Sequence, residues 1–326
     1  MQQQATYNQA REWALDVSRK LEKKMRYGAE EARKVDFIPY SVQDGKWAPS
    51  HIGWWTNGFW ELLQMYMLTG DTYFLEQAVR AEKMMDAALA DFKGLSHDVG
   101  FQWLIQSGVR YGIEKNADSF DRTLFAADIL AGRFNPNGFI RAWNGKGKEG
   151  WAIVDCMMNL SLLYWATRQT GDPRYQLVAM RHADTTMRSF VREDGSCNHI
   201  VCFDPETGAF LDNPGGQGCQ SGSSWSRGQA WALYGFTISY LSTKKPEYLE
   251  TAMKVADYVV SNVEKAMRYL GGYGRIDCYL DRDEAGRRTL EMLKGHYEER
   301  VCDRSALYDG CKDLNEYLQL TTKKEQ

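Results

Sequence analysis

A chain of 326 residues, 44% hydrophobic and 25% charged, buries a sizeable core and has room for two average domains or one large barrel. Its net charge of −3, with no basic block, argues against nucleic-acid binding by phosphate neutralisation. The start MQQQATYNQAREW has no apolar signal core and no apolar run approaches a membrane span, so the expectation is a soluble, cytoplasmic protein with no membrane partner.

In chain order, Tyr7–Tyr27 sets Ala10, Trp13, Ala14, Val17, Leu21 and Met25 on one helical face. A loop with Pro39, Gly45 and Pro49 follows. Gly53–Asp71 opens on Thr56-Asn57-Gly58 and runs, apolar and aromatic, into a predicted buried helix. Thr72–Ala90 predicts an amphipathic helix with Phe74, Ala78, Ala81, Met85 and Leu89 inward. Between the two, Leu-Thr-Gly-Asp supplies a glycine stop and an aspartate cap. The same pattern returns in Val99–Tyr111 with Ser119–Arg133, in Asp155–Thr170 with Pro173–Arg192, and in Trp225–Leu241 with Glu247–Lys265. An apolar helix precedes an amphipathic one each time, a repeat of about 50–70 residues. Two concentric helical layers follow, and six hairpins closing on themselves make an all-α (α/α)6 barrel with its site at the mouth. Strand signals are few. Ser196–Asp212 alternates around His199, Val201 and Phe203 and turns at Pro205–Gly208, predicting a short hairpin. Phe134–Gly150 is predicted as a loop at the mouth.

Two aspartates stand among residues that prefer burial. Asp155 lies between Ala152-Ile153-Val154 and Cys156-Met157-Met158, and Asp98 between His97 and Val99-Gly100-Phe101. Desolvation disfavours a carboxylate, so each needs a strong partner or keeps a proton it can donate. The bland alternative is a backbone cap at a helix start. Eleven Trp and eighteen Tyr leave aromatic faces available for stacking on sugar rings. Seven cysteines without a CxxC pair, and five histidines without an HxxxH pair, predict reduced thiols and no metal site.

The segments LSHDVGF, RFNPNGFIRAW, IVDCMMNLSLLYWA, TGDPRY, RHADTT, DGSCNHIVCFDPETG and SSWSRGQAWALYGF together resemble the unsaturated glucuronyl hydrolases, glycoside hydrolase family 88. The resemblance runs from about Gly53 to about Val263. It implies an (α/α)6 barrel that acts, without cofactor or metal, on oligosaccharides left by polysaccharide lyases. These carry a 4,5-unsaturated uronic acid at the non-reducing end. In the family reaction an aspartic acid protonates C4, water adds at C5, and the hemiketal opens to release the next sugar. Asp155 matches the family's acid/base and Asp98 its second essential aspartate. One carboxyl can serve as acid and then as base, and the two-carboxylate distance rule of ordinary glycosidases does not transfer, because the anomeric carbon is not attacked.

Further roles are implied by position within the motifs. Trp55 and Trp143 match the aromatic wall of the uronate pocket, with core tryptophan as the alternative. His97 would bond the sugar or orient Asp98, and His199 and Gln217 match positions near the uronate hydroxyls. Arg227 is the expected partner of the sugar carboxylate, which a guanidinium grips with two parallel bonds; a helix-terminal salt bridge is its alternative. Trp231 follows one turn later on the same face, and Asn159, one turn after Asp155, would support it. His51, His182 and His296 have no such context, with His182 expected on an outer helix.

One catalytic domain over residues 1–326 is expected, with residues 264–326 atypical. That stretch is more charged than a link into the next inner helix, and Asp303–Leu320 only faintly resembles the family's next helix start. The expected activity is release of unsaturated glucuronic acid from glycosaminoglycan fragments. The family 105 rhamnogalacturonyl type shares barrel and reaction, but His97-Asp98 and SWSRGQAW favour the glucuronyl type. Sugar epimerases on this barrel use histidine pairs, which are scarce here, and a non-catalytic sugar-binding barrel would not need Asp155.

Overall fold

The predicted helical hairpins are present in the computed structural model, which describes residues 2–312 except Glu61 and Cys219, together with Leu314 and Tyr317. Helix α1 (Gln2–Arg33) leads into strands β1 (Pro39–Gln43) and β2 (Lys46–Pro49), an antiparallel hairpin where a loop was expected. Its turn residues Asp44 and Gly45 both have positive φ, 50° and 73°, the conformation that matches strand twist in two-residue turns. Gly53–Asp71 does not form one helix. A 3₁₀ turn occupies Trp55–Phe59, Trp60 leaves the helical region at ψ 86°, and α2 spans only Leu62–Thr69. Asn57 causes the interruption, because its amide donates to the carbonyls of His51 and Ile52 and curls the chain back on itself.

Helix α3 (Thr72–Ala90) has the predicted bounds, with Asp71 capping the Tyr73 N–H and Gly70 at φ 72°. Gly100–Gly108 winds as a π-helix into α4 (Val109–Glu114), followed by α5 (Ala117–Gly132). The mouth segment holds β3 (Phe134–Asn135) and β4 (Phe139–Ile140), then β5 (Trp151–Ile153). Helix α6 (Cys156–Thr170) pairs with α7 (Pro173–Ser189), with Asp172 as cap and Pro173 at the first turn. Strands β6 (Ile200–Phe203) and β7 (Phe210–Asp212) precede α8 (Ser226–Thr243) and α9 (Pro246–Gly271).

The layering follows from composition. Nearly all of α6 is buried, from Cys156 and Met157 to Tyr164 and Trp165, and it packs on α5, α7, α8 and the π-helix. Helix α7 buries only Tyr175, Ala179, His182, Ala183 and its neighbouring threonines. This alternation of buried inner and half-exposed outer helices is the hairpin of the (α/α)6 barrel. His182 does lie on an outer helix, but it is buried. Strand β6 is buried at all four residues rather than alternating, because it is the middle strand of a sheet ordered β5-β6-β7.

The chain divides into two compact units, Met1–Asp257 and Tyr258–Gln326, where one domain was expected. In the second unit, β8 (Ile276–Cys278) pairs in parallel with β9 (Val301–Asp303) across α10 (Glu284–Tyr297). Parallel pairing needs such a crossover, so this is a βαβ unit and not a further helical hairpin. Ile276, Cys278, Leu293, Tyr297 and Val301 form its own apolar cluster. The expected helix start at Asp303 is the end of β9 and a 3₁₀ turn at Ser305–Tyr308; the rest of that stretch lies largely outside the described residues. Six cysteines are free thiols, and Cys219, also expected reduced, lies outside them.

Candidate active site

The small sheet positions the first aspartate. Ile153 of β5 faces Ile200 of β6, and the Val154 N–H donates to the His199 carbonyl at 3.0 Å. His199 is thereby set beside Asp155, the last residue before α6. The Asp155 carboxyl makes no cap bond to that helix, so the bland alternative for it does not occur. Its Oδ1 is buried with no hydrogen-bond partner, and His199 Nε2 stands 3.4 Å away, off the line of a good bond. His199 Nδ1 accepts the Gln217 N–H at 2.9 Å, which leaves the ring proton on Nε2, on the side of the ring nearer Asp155. The contact exists because Gly216, at φ 59°, has no Cβ; one would lie 2.0 Å from His199 Nδ1.

Asp98 is held from the other side. His97 Nε2 lies 3.0 Å from Asp98 Oδ1, and the Ser96 hydroxyl reaches Oδ2 at 3.4 Å. His97 Nδ1 bonds the Ala142 carbonyl at 3.0 Å, and the Ala142 N–H donates to the Trp151 carbonyl. A ring between a carbonyl and a carboxylate meets acceptors on both nitrogens, which favours its doubly protonated form. Burial pushes the His97 pKa down, but the charge and hydrogen bond of Asp98 outweigh it, and the net shift is upward.

Arg227 opens α8. Its guanidinium lies over the Trp225 ring at 4.1 Å and the Trp55 ring at 5.9 Å, and donates to Gln217 Oε1 at 2.7 Å. No carboxylate pairs with it among the described residues, so the salt-bridge alternative is absent there. Phe101 and Trp231 pack 5.2 Å apart, and Trp55 meets Phe101 at 5.5 Å.

One pocket is lined by the predicted Trp55, His97, Asp98, Trp143, Asp155, Gln217, Arg227 and Trp231. His199 stands behind Asp155. Asn159 does not touch the Asp155 carboxyl. Its Nδ2 donates to the Asp155 carbonyl at 3.2 Å and its Oδ1 accepts the Phe101 N–H at 2.8 Å, so it joins the two aspartate-bearing segments through their backbones. Gly100 permits that contact, since a Cβ there would lie 2.6 Å from Asn159 Oδ1. The pocket also uses Trp54, Phe101 and Ile153, which sequence reasoning missed, and Trp225 beneath Arg227. The doublet Trp54-Trp55 and the Trp225-Ser226-Arg227 order were the available signals. Among the described residues no group of three His, Cys, Asp or Glu could hold a metal, and no helix is long and apolar enough to cross a membrane.

A family model described as Glycosyl Hydrolase Family 88 matches residues 19–273. A second, described as Toprim-like, matches residues 237–318. The unsaturated glucuronyl hydrolase of Bacillus sp. (strain GL1) is 39% identical over 216 residues, 64% of this chain and 57% of that protein. The unsaturated chondroitin disaccharide hydrolase of Streptococcus pyogenes serotype M1 is 32% identical over 238 residues, 71% of this chain and 60% of that protein. The chain thus spans about six-tenths of the length of these relatives. Among solved structures, the glycosaminoglycan-degrading unsaturated glucuronyl hydrolase of Bacillus sp. GL1 superposes with a TM-score of 0.65 at 29% identity, covering 89% of this chain and 84% of that one. An unsaturated glucuronyl hydrolase specific for heparin gives 0.64 at 31% identity, covering 74% and 67%.

Proposed function

Because the chain belongs to glycosyl hydrolase family 88, we propose that it is a glycosidase that removes 4,5-unsaturated glucuronic acid from lyase-generated glycosaminoglycan oligosaccharides. The observation that carries this reading is the buried, unpaired Oδ1 of Asp155 in a pocket that also holds Asp98 and a carboxylate-free arginine. An unpaired carboxyl oxygen is free to hold a proton for transfer to substrate. The relatives named above act on unsaturated glucuronyl and chondroitin disaccharide substrates by their names, which supports the same substrate class here.

In this mechanism the uronate carboxylate takes two charge-assisted bonds from Arg227, and the sugar ring rests between Trp55, Trp143 and Trp231. Asp155 gives its proton to C4 of the vinyl ether, and positive charge develops at C5 and the ring oxygen. The Asp155 carboxylate left behind accepts the Nε2–H of His199, then takes a proton from the water adding at C5. Asp98, anchored by His97, stabilises the developing cation across the pocket. The C5 hemiketal opens to a ketone, and the hemiacetal formed at C1 expels the next sugar. No cofactor takes part in these steps. Free thiols suit a reducing compartment and support a cytoplasmic location.

The test is loss of the C4=C5 ultraviolet absorbance on a panel of lyase products from sulfated and unsulfated chondroitin, heparin and pectin. Turnover of a glycosaminoglycan disaccharide is expected. Turnover of the pectin product alone would move the chain to the rhamnogalacturonyl reading, and turnover of none would remove the hydrolase reading.

A further inference from the structure

Arg133 follows the last residue of α5 and turns its guanidinium inward behind the pocket wall. Nε donates to the Arg141 carbonyl at 2.9 Å, Nη1 to the Leu95 carbonyl at 3.1 Å and to Asn144 Oδ1 at 2.7 Å, and Nη2 to the Ala142 carbonyl at 2.9 Å. Asn144 completes the clip, its Nδ2 donating to the Lys93 and Leu95 carbonyls, both at 2.8 Å. One side chain therefore joins two backbone segments. The first continues into His97 and Asp98, and the second carries Trp143. No carboxylate pairs with Arg133 among the described residues. The charged and titratable groups that face it are Cys156, Arg141 and Asp98, and burial brings its pKa down to about 10. Arg133 is half-buried, and every hydrogen bond of its fork goes to a neutral acceptor on one of these two segments, so its clearest effect is on where the backbone sits.

That effect centres on Ala142. That carbonyl accepts from Arg133 Nη2 and from His97 Nδ1, so its direction fixes the imidazole that bonds Asp98. We propose that Arg133 is a positioning residue for the reaction: it holds the Ala142 carbonyl where that carbonyl locks the His97 ring, and through the ring it aims Asp98 into the pocket. This rests on the hydrolase reading, in which Asp98 faces the reacting sugar. The group that grips the uronate carboxylate is independent of the clip. Arg227 and Gln217 sit on α8 and the loop before it, and the Trp143 ring is also held by Trp151 at 6.0 Å and Lys148 at 5.2 Å.

The experiment compares full-length wild type, Arg133→Lys and Asn144→Ala by steady-state kinetics on an unsaturated disaccharide and by side-chain ¹H–¹⁵N histidine spectra. Lysine keeps the charge but loses the fork, and Asn144 is exposed, so its loss spares the fold. In Arg133→Lys, kcat is expected to fall at least about tenfold with KM within about threefold, since small misplacements of a catalytic group cost rate rather than binding. The His97 Nδ1 resonance shifts or broadens. Asn144→Ala moves both readouts the same way, less far. Unchanged kcat and an unchanged His97 resonance in a folded variant overturn the proposal, as does a rise in KM without loss of kcat. If wild type turns over no unsaturated uronide, the reaction reading fails by that result. The His97 resonance then decides alone whether Arg133 controls that ring.

Discussion

Arg227 is exposed yet fixed, stacked on Trp225 and tethered to Gln217. It needs little reordering to meet a carboxylate, and the neutral Gln217 tether yields readily to a charged ligand. Arg227→Ala removes a charge-assisted pair worth about 1.5–3 kcal/mol, so KM should rise about 10–100-fold with a smaller change in kcat. Unchanged steady-state kinetics would assign the carboxylate to another group. The charged and polar members of the site were legible because each sits in an improbable context: aspartate inside apolar runs, arginine beside tryptophan. Trp54, Phe101 and Ile153 were not, because an aromatic or aliphatic residue lining a pocket has the same sequence signature as one filling a core. Asn159 was legible as a support of Asp155, which it meets at the backbone carbonyl, but its bond from the Phe101 N–H was not, since only the folded chain brings that group to it.

Among the elements, the outer helices were the most legible. The period of their apolar faces, the Asp caps and the glycine stops agree, and α3 begins and ends where its residues predict. The Gly100–Gly108 segment was read as helix, but its π winding depends on contacts no local pattern encodes. The Phe101 N–H goes to Asn159 on α6, and α6 lies against Gly100. The join between α7 and β4 is likewise long-range: His182 Nδ1 accepts the Ile140 N–H at 3.0 Å, and its Nε2 is buried without a partner. Burial, aided by the charge of His97, pushes the His182 pKa down to about 3. The unfolded chain therefore binds a proton below about pH 6.5 that the folded chain refuses, and this residue's contribution to stability falls as pH drops from about 6.5 toward 3. The slope reaches about 1.4 kcal/mol per pH unit. His182→Asn keeps an acceptor for Ile140 without the titration, so its Tm should fall less than that of wild type between pH 7 and 5. Parallel losses in the two proteins would show that His182 carries none of the acid sensitivity.

For the whole molecule, every pocket-lining residue lies between Trp54 and Trp231, inside the first compact unit. The parallel strands of the second unit were hidden in sequence because Ile276–Cys278 and Val301–Asp303 are too short to register a period-two pattern. The excess charge after Val263 was visible, and its cause is a βαβ unit with a small core of its own. Val301→Asp places a charge in that core, a cost on the order of 3 kcal/mol or more. Proteolysis should then begin within residues 258–312 while kcat/KM stays within about twofold of wild type, because every residue lining the pocket belongs to the first unit. A tenfold loss of kcat/KM in that variant would show that the second unit contributes to the site.

The central claim is that Asp155 delivers the proton, and the most direct measurement sets turnover against binding in Asp155→Asn. The account predicts kcat on an unsaturated glycosaminoglycan disaccharide lower by at least about 10³, with the disaccharide Kd within about threefold of wild type, because asparagine fills the same space and cannot donate an acidic proton. A variant that turns over within tenfold of wild type, or that loses binding as completely as turnover, would contradict it.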